Sequence, residues 1–457
     1  MNFNAKFLII FAIFLISTLF LSGYESTYSF NSINNTINNS KLSKKSVVSV
    51  SIREIQSEKV LYQRDASLLL HPASTLKAFT TPVILNVLGA NYKLSTGIYK
   101  DSKGNIYLKL CGDPHLSIED ISKLILGLKA KGYNTINGSL LIDDSAIDDV
   151  FWGTGWMWDD ENNPYMPKYN AYNLNRNLIK VKISPTQPNQ KPKVVIAPYY
   201  PVKIINNAVS SHENSISVER KVWKNVESIY VEGKISSATE KIIPVANPEN
   251  FFKYQLTKAI KNNKIYFSGQ YKKAKLPASA VLITEVSHKL LDELKITNKK
   301  SDNLAAEALF KLAGGKYTRH TGSTENGLKA FNDFYSKLGH DTSTISVVDA
   351  SGVSQNDLIT ADWMTLALAK LYKSGSFVTY KSTLAAPSEI GTLQNRLLNL
   401  KGRLYAKTGT NAGVSAITGY VTDKYGNTFA FSIVIQNFKD SSKPAKELED
   451  AILQVFN

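Results

Sequence analysis

Leu76, Phe79, Val83, Ile84, Val87 and Leu88 recur at helical spacing and end on Gly89. The pattern predicts a helix with a glycine stop and an apolar face that other parts of the chain must cover. Ser74, within His71-Pro72-Ala73-Ser74-Thr75-Leu76-Lys77, falls in its first turn, and Lys77 follows three residues later on the same face. A serine at a helix start is most often a cap. It becomes a nucleophile only if a neighbour takes its proton. A lysine can do so when burial, a helix N-terminus or nearby positive charge lowers its pKa.

Length and composition narrow the class. The 457 residues suggest two or three domains, and 43% hydrophobic with 20% charged residues is ordinary globular material. The formal net charge of +16 favours anionic surroundings such as a membrane surface or cell-wall polymer. No arginine-rich stripe, zinc spacing or RNA-binding aromatic pattern accompanies it, so nucleic acid is not an expected partner. Cys111 is the only cysteine, so an intramolecular disulfide is excluded. It ends the apolar run from Leu108 and reads as a small buried residue rather than a nucleophile. The six histidines lie scattered and read as surface or structural residues, and no cofactor or metal pattern is present.

The start of the chain points to a compartment. Lys6 precedes an apolar and hydroxyl stretch from Phe7 to Leu21, followed by Ser22-Gly23. The stretch is shorter than the roughly 20 residues that span a bilayer. Residues 1–23 therefore read as a secretory signal peptide, with an uncleaved anchor as the alternative, and the chain is expected in the periplasm or another extracytoplasmic space. The absence of cysteine at that site excludes a lipoprotein. Residues 24–45, rich in Asn and Ser, read as a flexible leader.

Further along, Val47 to Ile52 reads as a strand with a hairpin partner at Lys59 to Tyr62. Between Gly89 and Glu240 short strands predominate, with a helix at Ile118 to Leu128 and a tryptophan-rich loop from Trp152 to Asn170. From Leu290 the pattern becomes helical, and Gly314-Gly315 reads as a helix stop. Strands at Leu404 to Lys407, Ser415 to Val421 and Thr428 to Ile435 precede a final helix, Ala445 to Val455.

Two more short patterns lie far downstream. Ser301-Asp302-Asn303 opens a helix, and Lys407-Thr408-Gly409-Thr410 ends a strand. With Ser74-x-x-Lys77 they form the trio found in penicillin-binding proteins and class A β-lactamases, each in its expected local setting. The chemistry uses every part. Ser74 attacks a carbonyl and Lys77 accepts its proton. Ser301 passes that proton to the leaving amine, and Asn303 holds Lys77 and a substrate amide. The Lys407 strand pairs with an extended peptide. Lys407 and Thr408 meet a terminal carboxylate, and Gly409 permits close backbone approach. The backbone N–H groups of Ser74 and Thr410 form the oxyanion hole.

From Val47 to Phe438 the chain resembles the D-alanyl-D-alanine carboxypeptidase/endopeptidase branch of the low-molecular-mass class C penicillin-binding proteins. The resemblance rests on Pro72-Ala73-Ser74-Thr75-x-Lys77, Leu88-Gly89 with Tyr92 and Thr96, Gly112-Asp113-Pro114-x-Leu116 and Asp143-Asp144-Ser145. It continues through Asp349-x-Ser351-Gly352-x-Ser354 with Asn356 and Thr360, and Gly391-Thr392-Leu393 with Arg396. Ala350, Cys111 and Pro82 depart from the pattern without removing a catalytic group.

The resemblance implies a multidomain α/β fold: a β-lactamase/transpeptidase-like α/β/α sandwich with a large strand-rich insertion between the first and second motifs. The long interval from Ser74 to Ser301 has room for it. Expected boundaries are 46–91 and 286–457 for the catalytic domain, 92–185 and 241–285 for the inserted domain, and 186–240 for a small nested β domain. The implied function is an exported serine DD-peptidase acting on peptidoglycan stem peptides, with β-lactam antibiotics as acylating partners. A β-lactamase or esterase on the same fold, or a non-catalytic wall-binding protein, are the alternatives. In the resembled family the second domain supplies an acid to the cleft after a Trp-rich stretch. Asp160, in Gly155-Trp156-Met157-Trp158-Asp159-Asp160, matches it best.

Overall fold

Val47–Glu54 is buried along all but its ends and has a partner on each side. Val60–Arg64 pairs with one edge and Thr428–Gln436 with the other, so the start of the fold is closed by its end. The computed structural model describes residues 31–457 apart from 224–225. The sheet runs 404–411, 414–422, 428–436, 47–54, 60–64, and every neighbouring pair is antiparallel. Alternation assigns its two faces. Phe429, Phe431, Ile433 and Ile435 join one core, and Ala430 and Val434 the other. Burial of each large apolar side chain contributes roughly 1.5–3 kcal/mol. Helix Ala361–Tyr372 covers one face and helix Lys443–Leu453 the other, which makes the expected α/β/α sandwich.

The Ser74 segment enters as a 3-10 turn, Ala73–Leu76, and continues as the helix Lys77–Leu88. Every residue from Lys77 to Leu85 is buried, so the helix is enclosed on all sides rather than on one face. The helices Leu290–Lys299, Asn303–Thr318 and Thr324–Lys337 pack against it. Gly314-Gly315 does not end a helix, because Asn303–Thr318 runs through both. A Cβ on Gly314 would meet the Gly327 amide nitrogen at 2.2 Å, and one on Gly315 the Gly322 nitrogen at 2.7 Å. The pair is where two segments touch backbone to backbone.

The insertion holds a second five-stranded sheet, in the order 271–273, 140–143, 106–109, 93–100, 281–289. Helix Ile118–Ala130, opened by a Ser117/Asp120 capping box, packs on it. Beyond it, Leu178–Ser184 pairs with Lys193–Ala197 and Thr239–Pro244, a sheet that straddles the boundaries expected at 185 and 240. Ser217–Trp223, Val226–Glu232 and Lys203–Asn206 make a further small sheet.

The signal segment expected over 1–23 and the first part of the leader lie outside the described residues. Within the leader the structure differs from the expectation. Asn31–Asn39 is a helix, and Ser40 caps the turn Lys41–Lys44. Ile33 and Ile37, four apart, bury against the C-terminal helix. Two isoleucines among asparagines suffice because the receiving surface is already apolar. Among the described residues no helix is long and apolar enough to cross a membrane.

Candidate active site

Ser74, Ser301, Asn303, Thr408 and Thr410 line one cleft of about 460 Å³, together with Tyr165, Gly352, Thr392 and Asn411 among others. That size suits a small ligand or a peptide end. The three sequence patterns, far apart in the chain, thus share one wall system. Lys77 Nζ donates to Ser74 Oγ at 2.9 Å, to Asn303 Oδ1 at 2.6 Å and to the Ser351 carbonyl at 2.7 Å. Lys407 Nζ donates to Ser301 Oγ at 2.9 Å and to the Thr408 carbonyl at 2.6 Å.

Both lysines are completely buried, which is costly for a cation. Burial lowers Lys77 to about 8, against the opposing pull of Asp349, Glu307, Asp302 and Asp357. Lys407 is pushed well below the ordinary lysine range by burial and by the charge of Lys77. The arrangement therefore holds a lysine with a readily emptied proton site beside a serine hydroxyl.

Asn303 is fixed from two sides, because its Nδ2 donates to the Tyr165 carbonyl of the insertion at 2.9 Å. Gly409 lies against the turn before the helix. A Cβ there would stand 3.1 Å from the Ser74 nitrogen and 3.0 Å from the Pro72 carbonyl. The Leu404–Asn411 strand is a sheet edge. An Ala385–Ala406 bridge covers that edge just before Lys407.

Asp349 organises the far side of Lys77. Its buried carboxylate accepts N–H bonds from Ser351, Gly352, Val353 and Ser354 at 2.7–3.1 Å and from Trp156 Nε1 at 2.9 Å. Glu307 accepts from Ala350 and Ser351 at 3.0 and 2.9 Å. Together they shape the turn that presents the Ser351 carbonyl to Lys77. Gly352, at φ +73°, passes so near the Ser74 turn that a Cβ would sit 1.9 Å from the Ala73 carbonyl. Gly352→Ala should therefore displace that turn and slow attack by the Ser74 hydroxyl on a serine-reactive probe by about a hundredfold, the usual cost of an ångström of misplacement. Stopped-flow labelling checks this, and an unchanged rate would show that the turn yields freely.

Asp160 is not among the lining residues. It sits half-buried in the turn Trp158–Asn162, directly before the lining residues Asn163, Tyr165 and Met166. The tryptophans of that loop divide. Trp156 is buried on Asp349, whereas Trp158 is 86% exposed. The histidines are less scattered than their sequence positions suggest. His71 is buried, accepts from the Ala73 amide through Nδ1 at 3.2 Å and so donates through Nε2 to the Ser354 carbonyl at 2.8 Å. His115 and His288 come together with Asp113, Asp120, Glu293 and Asp302. Asp113, His288 and Glu293 each offer a ligand atom within 4.8 Å of the others. They are the described residues that could hold a metal, although each is already ion-paired.

A family model described as the D-Ala-D-Ala carboxypeptidase 3 (S13) family matches residues 30–456. A D-alanyl-D-alanine carboxypeptidase of an Actinomadura species is 30% identical over 424 residues, covering 86% of this chain and 78% of that protein. The crystal structure of penicillin binding protein 4 (dacB) from Haemophilus influenzae superposes with a TM-score of 0.83 at 22% identity, covering 92% of this chain and 98% of that one. The same protein complexed with a β-lactam superposes at 0.80 with 21% identity, covering 93% and 99%. With a match over nearly its whole length, this chain belongs to the D-Ala-D-Ala carboxypeptidase 3 (S13) family of serine enzymes.

Proposed function

We propose that this chain is an exported DD-peptidase. It cleaves the terminal D-Ala–D-Ala bond of peptidoglycan stem peptides, the D-Ala–diaminopimelate cross-link, or both, through an acyl-enzyme on Ser74. The observation that carries the reading is the short Ser74–Lys77–Asn303 chain facing the Lys407–Ser301 pair. Neutral Lys77 takes the Ser74 proton as Oγ attacks the penultimate D-Ala carbonyl. The amides of Ser74 and Thr410 receive the oxyanion, and each such donor is worth roughly 3–4 kcal/mol at the transition state. The proton passes by way of Ser301 to the leaving amine, the C–N bond breaks, and water later hydrolyses the ester. A substrate carboxylate beside Lys407 and Thr408 supplies the counter-charge that the buried Lys407 lacks.

A labelled penicillin tests the reaction class. The expected result is a stable covalent adduct together with release of D-alanine from a D-Ala–D-Ala peptide. Rapid turnover of the drug would make the chain a β-lactamase, and no reaction with either would make it a scaffold. Asp160 has a narrower role, in holding the far ammonium of a diaminopimelate side chain. Burial and the adjacent Asp159 push its carboxyl upward, as expected for an acid short of a cation. Asp160→Asn should weaken turnover of peptides with a free diaminopimelate amine by about ten- to a hundredfold and spare a simple penicillin. Equal losses on both would assign the loop to structure.

A further inference from the structure

Asp302 stands between two lining residues of the cleft, Ser301 and Asn303, yet its own side chain turns away from them. Oδ1 accepts from the Ala305 amide at 3.0 Å and caps the helix Asn303–Thr318. Oδ2 faces the insertion. Arg176 reaches it at 2.7 Å, and His115 Nε2 lies 3.5 Å away. That ring nitrogen is buried and makes no hydrogen bond. The other nitrogen of His115 pairs with Glu293 on the helix Leu290–Lys299. Behind this group, His288 pairs with Asp113 at 2.7 Å and lies 3.5 Å from Asp120. Ser301 is held at φ +60°, a backbone state that costs a non-glycine residue about 1–2 kcal/mol and persists only where its surroundings enforce it.

We infer that His115 and Arg176 are positioning residues: two basic side chains of the inserted domain grip the Asp302 carboxylate and thereby set Ser301 and Asn303 in the cleft. The insertion is then part of the catalytic apparatus as well as a cleft wall. Asp302 is held down at about 2 by His115 and Arg176, against its own burial.

The inference rests on the reaction proposed above, and its test separates the two. Penicillin acylation is compared at neutral pH for the wild-type chain, His115→Gln, Arg176→Gln and Arg176→Lys, with the limiting rate and the half-saturating concentration read separately. The expected result is a limiting rate about tenfold lower in the two Gln variants at a nearly unchanged half-saturating concentration, with most of it restored in Arg176→Lys, which keeps a cation beside Asp302. An unchanged limiting rate in the Gln variants, or a deficit that Arg176→Lys does not relieve, would overturn the inference. If His115→Gln does not fold, the Arg176 pair decides, since that side chain is already 39% exposed. If the wild-type chain takes no penicillin, the reaction proposal fails, and a crystal structure of Arg176→Gln decides the grip: Ser301 leaving its φ of +60° supports it, and an unmoved Ser301 overturns it.

Discussion

Ser74→Ala is expected to abolish covalent labelling by a penicillin while the protein remains folded. Removing a serine nucleophile removes the reaction, a loss on the order of a millionfold where nucleophile and base act as a unit. The fold survives because little else depends on the hydroxyl. Lys77 keeps two of its three acceptors, Asn303 Oδ1 and the Ser351 carbonyl. The helix below remains enclosed by the packing of Phe79, Val83 and Ile84. The lost bond costs about 1–2 kcal/mol at most. Mass spectrometry after incubation with a penicillin, alongside a melting curve, reads both halves. Stoichiometric adduct in a folded Ser74→Ala chain would place the nucleophile elsewhere, with Ser301, the other cleft serine, next to be substituted.

Local chemistry was legible in the sequence wherever period and punctuation agree. The strand at 47–54, the hairpin at 404–411 and 414–422, and the helices after Leu290 appear close to where alternation and caps put them. The members of the candidate site were legible because Ser74, Lys77, Ser301, Asn303 and Lys407, which the fold brings together, sit in short patterns with a chemical rationale. The helix at 31–39 was not legible, because Ile33 and Ile37 become an apolar face only once a surface exists to receive them. Gly314-Gly315 misled for a related reason. The glycines serve a contact with Gly322 and Gly327, and local rules read glycine only as a stop. The scaffold behind Lys77 was also hidden. Asp349 belonged to a recognisable block, but its bonds to Trp156 and to the backbone around Ser351 depend on packing across domains. Glu307 and His115 carried no local signal at all, since each acquires its meaning from a partner on a distant segment.

That hidden scaffold sets the second large expected effect, the loss of the base. Lys77→Ala should lower acylation by about a hundred- to ten-thousandfold, the range for a general base, and remove its pH dependence. In the proposed reaction the acting form of Lys77 is neutral. With its pKa near 8, only about a tenth of the molecules carry that form at pH 7. Acylation therefore rises with pH through about 8 and levels off above it. Burial and the charge of Asp349 push Glu307 upward, toward the range in which Lys77 titrates. The midpoint accordingly belongs to the pair and not to the lysine alone. Glu307→Gln separates them. An amide oxygen can still accept from Ala350 and Ser351, but the negative charge that helps hold Lys77 protonated is gone. The midpoint of acylation should then move to lower pH, and the rate near the wild-type midpoint should rise relative to the plateau. A profile that is flat in the wild-type chain would show that the base is not a lysine. A midpoint that moves upward in Glu307→Gln would show that Glu307 acts on Lys77 by geometry, with its charge playing no part.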